Sequence, residues 1–123
     1  MSQNAQAVDS IAADLTTANA GSATTVLNLS SGQSFDMTDY DLGYSSAATT
    51  DIGFEIWDAP SGTTAANLAA NGTLVAYIPG IVGDHTVAAN INRREFDDSV
   101  IVNQPSGQDG EAWLTIGGYY VSI

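Results

Sequence analysis

Any chemistry in this chain would have to come from its carboxylates. Eleven aspartates and three glutamates stand against two arginines, one histidine, no lysine and no cysteine. Asp36, Asp39 and Asp41 lie close together, and Asp97 and Asp98 are adjacent. Asp109-Gly110-Glu111 forms a glycine turn with oxygen donors of the kind that hold Ca²⁺ or Na⁺. Two carboxylates flanking a sugar would be the equipment of a glycosidase. On a regular strand, however, Asp39 and Asp41 share a face while Asp36 takes the other. None of the clusters follows the spacing of an EF-hand loop. His85 follows Asp84 in a turn, with no second histidine or cysteine to complete a metal site or a nucleophilic triad. Phosphate-binding loops and nucleophile elbows are absent from the sequence. Solvated acidic surface is the reading that composition favours. The expectation is an absence of catalytic residues, metal and cofactor.

The two cations resist the same reading. Arg93 and Arg94 are adjacent, so a strand sends them to opposite faces, and each can form paired hydrogen bonds to a carboxylate. A salt bridge between subunits or between sheets is the first expectation. A bridge on the monomer surface comes second, and an anion site third. Asn28-Leu29-Ser30 and Asn71-Gly72-Thr73 match the glycosylation pattern, as chance allows in a chain rich in Asn, Ser and Thr.

The net charge of −12 over 123 residues opposes compaction in dilute buffer. At molar salt the screening length falls to about 3 Å, and most of that repulsion disappears. Losing lysine removes long apolar stems, and short aspartates hold hydrated carboxylates close to the backbone. The composition therefore fits a protein that works in concentrated brine. It excludes nucleic acid as a partner, because two arginines cannot neutralise a row of phosphates. No run approaches the roughly 20 apolar residues of a membrane span. Residues 1–7 have neither a basic region nor an apolar segment, so synthesis in the cytoplasm without a signal peptide is expected.

The elements that must position these residues are mainly strands. In residues 5–19, Val8, Ile11 and Leu15 fall at i, i+3 and i+7, which predicts a short, marginal helix or arm over 1–22. From 23 to 123 the period is two. Segments 25–29, 34–44, 52–57, 74–78, 86–91, 99–102 and 112–123 read as strands, separated by turn residues. Residues 63–70 read as one or two helical turns, and Gly117-Gly118 as a bulge or bend. The expected fold is all-β: a single antiparallel β-sandwich, jelly-roll-like, of seven or eight strands with a short N-terminal helix or arm.

Residues 54–123 carry a resemblance. Phe54-Glu55-Ile56-Trp57-Asp58 leads to the turn Ser61-Gly62-Thr63-Thr64, then Leu74-Val75-Ala76. Arg94-Glu95-Phe96-Asp97-Asp98-Ser99-Val100-Ile101-Val102 and the final Trp113-Leu114-Thr115-Ile116 follow. This order resembles the small β-sandwich proteins of tailed-virus particles. With the brine composition, the resemblance implies a structural protein of a virus infecting halophilic archaea: a capsid decoration or vertex protein, or a tail component. It implies a non-enzymatic homo-oligomer, a trimer or pentamer, seated on the major capsid or other virion proteins. Arg93, Arg94, Trp57, Trp113, Tyr119 and Tyr120 are the candidate interface residues, since aromatics on strands more often pack in cores or subunit contacts than line sugar sites. The alternative is a receptor- or glycan-binding tail module that displays those aromatics in an exposed groove.

Overall fold

A computed structural model describes residues 4–15, 21–29, 31–44, 53–78, 86–104 and 112–122. Eight strands run in chain order: β1 Asn4–Leu15, β2 Ala23–Asn28, β3 Gln33–Tyr44, β4 Phe54–Asp58, β5 Thr73–Ile78, β6 Thr86–Phe96, β7 Ser99–Asn103 and β8 Ala112–Ser122. Between β4 and β5 lie a 3₁₀ turn, Ala65–Asn67, and a single helical turn, α1, Leu68–Asn71. The strands form two four-stranded sheets, sheet I in the order β1-β8-β3-β6 and sheet II in the order β2-β7-β4-β5. Every pairing is antiparallel.

That order is a wound ribbon. β1 pairs with β8, β2 with β7, β3 with β6 and β4 with β5, as if one long hairpin had been folded in half. The lateral pairs β3–β8 and β4–β7 then close the roll. This is the jelly roll, with two sheets face to face and the core between them. Sheet I contributes Phe35, Met37, Leu42, Phe96, Leu114 and Ile116 to that core. Sheet II contributes Phe54, Ile56, Ile78, Val100 and Val102. Full burial of each such side chain is worth about 1.5–3 kcal/mol. Phe35 anchors the sheet I layer, its ring 6.0 Å from those of both Phe96 and Tyr120.

Strand β7 is buried on both faces. Val100 and Val102 enter the main core, while Ile101 faces outward and is covered by Ala59 and Leu68 of the β4–β5 connection. That connection crosses the outside of sheet II and is pinned on β2, where the Gly62 N–H donates to Thr25 Oγ1 at 3.0 Å. Gly62 has φ of +82°, a left-handed conformation that glycine adopts without strain.

The N-terminal segment differs from the helix read in the sequence. Residues 4–15 are strand β1, paired along its length with β8 from Asn4↔Ser122 to Leu15↔Ala112. A bulge between Val8 and Ile11 explains the misleading spacing. It inserts one residue, so Val8, Ile11 and Leu15 all stand opposite even-numbered positions of β8, namely Gly118, Ile116 and Ala112. An i, i+3, i+7 pattern is thus produced by a bulged strand. Sheet hydrogen bonds with β8 outweigh the small helix propensity of an alanine-rich segment whose isolated helix would be marginal. The division at 22/23 falls between two strands of one sandwich.

Gly117-Gly118 does mark a break in register. β1 shifts opposite Gly118, and β3 shifts between Met37 and Asp39, opposite the glycine pair. A Cβ on Gly118 would run into the Asp36 carbonyl oxygen, so the close approach of β3 requires glycine there.

Candidate assembly surface

The carboxylates do not converge on a catalytic arrangement. The β3 bulge at Thr38 reverses the alternation of the strand. Phe35 and Met37 before it, and Leu42 after it, all enter the core. Asp36, Asp39 and Asp41 therefore share the outer face of sheet I, contrary to the split that a regular strand predicts. Asp36 is buried, whereas Asp39 and Asp41 are exposed. Across β3, Asp36 stands opposite Glu95 of β6 and Tyr119 of β8. Among the described residues, no group of three His, Cys, Asp or Glu side chains is placed to hold a metal ion. Asp84-His85 and Asp109-Gly110-Glu111 lie outside the described residues.

Two other acids have structural work. Asp58, at the end of β4, accepts the backbone N–H groups of Asp97 and Asp98 at 3.0 and 2.9 Å. It ties the corner where the chain leaves sheet I through β6 and enters sheet II through β7. Glu55 Oε1 accepts Trp57 Nε1–H at 3.0 Å and Asn103 Nδ2–H at 2.7 Å on the outer face of sheet II. Charge-assisted bonds of this kind hold β4 to β7 and fix the indole.

Five of the six proposed interface residues fall on three surfaces, and the sixth, Tyr120, packs at the core. Trp57 is half-buried on the outside of sheet II, packed against Ala59, Leu68 and Ile101. Trp113 and Tyr119 stand exposed on the outer face of sheet I, on β8 between β1 and β3. Tyr120 turns the other way and packs edge-on against Phe35 at the core. Arg93 and Arg94 lie on the edge strand β6, with Arg94 exposed and Arg93 within the irregular stretch between Asn90 and Arg94. The structure does not gather these six into one patch.

Sequence reasoning read 74–78 as a strand but did not single out the edge it forms. β5 is an edge strand of sheet II, with Leu74 46% and Tyr77 56% exposed. Val75 and Ala76 pack against the core from its rim, only partly covered. The sequence Thr73-Leu74-Val75-Ala76-Tyr77-Ile78 has no charge and no proline, the residues that usually guard an open edge. β2, the other edge, reads Ala23-Thr24-Thr25-Val26-Leu27-Asn28 and is equally uncharged. The available signal was the absence of any charged residue between Asp58 and Asp84, and between Asp14 and Asp36.

No protein-family model matches the chain, and no curated protein does. Among solved structures it is similar to a chain of the Bacillus endospore appendages, a family of disulfide-linked pili. The two are 18% identical, with 98% of this chain and 91% of that chain covered, at a TM-score of 0.46. The likeness is distant, and no functional statement rests on it. Without cysteine, this chain forms no disulfide link. Nothing in these comparisons points to tailed-virus particles.

Proposed function

We propose that this chain is a non-enzymatic structural protein that assembles with copies of itself in concentrated salt. The observation that carries the reading is the uncharged edge of sheet II, with Leu74 and Tyr77 exposed on it, in a molecule of net charge −12. A highly charged chain that keeps one margin neutral and apolar is equipped to bury that margin. The exposed aromatics favour contact surfaces over a ligand groove, because Tyr77 lies on sheet II while Trp113 and Tyr119 lie on sheet I. The finer proposal is a capsid decoration or vertex protein of a virus of halophilic archaea, made in the host cytoplasm. It is supported by the order of strands and turns in residues 54–123 and by the acidic composition. Sedimentation in multimolar KCl and in dilute buffer tests the coarser reading, with a homo-oligomer expected at high salt. A monomer at every salt and protein concentration would end it. Copy number in purified particles tests the finer one, a high count that is a multiple set by shell symmetry being expected.

A further inference from the structure

The geometry points to a head-to-tail joint in which β5 of one copy pairs with β2 of the next, so that sheet II continues from subunit to subunit. This rests on the self-assembly proposed above and names its contact. Four observations lead to it. First, successive strands of sheet II are all antiparallel, so its two edges, β2 and β5, run in opposite directions. A copy moved sideways by one sheet width therefore brings β5 antiparallel to β2, the stronger ladder.

Second, the two edges match in length. The rows Ala23–Asn103–Glu55–Tyr77 and Leu27–Val100–Asp58–Thr73 cross the whole sheet. Between these rows β7 and β4 each place four residues, while β2 and β5 each place five. Each edge strand carries its one extra residue, Val26 or Val75, within the same span. An edge bulge of this sort normally discourages pairing with a regular strand. Here the two bulged edges have equal counts, five residues against five, with Ala23 opposite Tyr77 and Leu27 opposite Thr73, the two extra residues lying one row apart.

Third, neither edge carries a charge, whereas both edges of sheet I do: Asp9 and Asp14 on β1, and Arg93, Arg94 and Glu95 on β6. Molar salt does not weaken a joint made of backbone hydrogen bonds and apolar contact. Fourth, Val26 and Leu27 of β2 and Val75 and Ala76 of β5 are partly covered members of the core margin. Pairing the edges completes their burial. Because the joint is heterologous, it builds a ring or a filament rather than a closed dimer.

The absence of cysteine makes a clean test. Thr24 and Thr73 are exposed, one on each edge. Thr24→Cys, Thr73→Cys and the double variant are treated with a short bis-maleimide in multimolar KCl, with sedimentation run on the same samples. The expected result is a ladder of covalent multimers from the double variant, heterodimers from the mixed single variants, and no homodimer from either single variant alone. Homodimers from one single variant would replace this joint with a two-fold one. Assembly by sedimentation without any cross-link would overturn the joint and leave self-assembly standing. Monomers throughout, wild type included, would overturn both.

Discussion

The two sheets share one core and differ in almost everything outside it. The strands of sheet I carry Asp9, Asp14, Asp36, Asp39, Asp41 and Glu95 together with both arginines. Those of sheet II carry Glu55 and Asp58 alone, each already engaged in hydrogen bonds. Sheet I exposes Asp39, Asp41 and Glu95 beside Trp113 and Tyr119, and both its edge strands carry charge. Sheet II has a crossing loop on its outside and two edge strands without charge. Of the acids that lie on strands, six are on sheet I and two on sheet II, so the strands of sheet II carry the lower charge. In brine the first layer is screened and hydrated, while the backbone and apolar groups of the second remain available. A uniform spread of the same charges would have guarded every edge and favoured a monomer.

The comparison breaks most sharply where the layers depend on each other. Phe35→Ala removes a fully buried ring that meets Phe96 and Tyr120 and belongs to the shared core. A loss of about 3–5 kcal/mol is expected in denaturant melts at high salt. A loss confined to sheet I signals, with β2, β4, β5 and β7 still protected in hydrogen exchange, would show that the sheets fold independently. A smaller effect is expected at the corner between the sheets. Asp58→Ala removes the acceptor of the exposed Asp97 and Asp98 N–H groups, which water then takes over, and is expected to cost about 0.5–1.5 kcal/mol. Asp58→Asn should recover part of it, since one carbonyl oxygen still accepts. The smallest effect sharpens the charge contrast. Asp39→Asn with Asp41→Asn is expected to raise the melting temperature by a few degrees in dilute buffer and to leave it unchanged in multimolar KCl. If Glu55→Gln on sheet II gives the same low-salt gain, the acids of the two sheets are equivalent and the contrast fails.

Much of the strand content was open to reading because a half-buried strand repeats every two residues. Ser99–Val102, Phe54–Ile56 and Ala112 onward announced themselves in this way, as did the turns between them. The N-terminal strand did not, for a local reason. A bulge converts two-residue spacing into three, and Val8, Ile11 and Leu15 then imitate a helix. The bulge at Thr38 likewise moved Asp39 and Asp41 to the face of Asp36. Bulges are set by what lies opposite, here the glycine pair of β8, and the sequence of the bulged strand alone does not reveal them.

Composition by itself determined the acidic character of this protein, the absence of thiol chemistry and the all-β class, because these follow from counts and from a short-range period. Only the tertiary structure decided the rest. The pairing of β1 with β8 joins the two ends of the chain, from Asn4↔Ser122 to Leu15↔Ala112, and no local pattern encodes so distant a contact. Two uncharged stretches, one before Asp36 and one after Asp58, are unremarkable along the chain. Winding the ribbon places them on the two opposite edges of a single sheet, and that placement makes them a matched pair of surfaces.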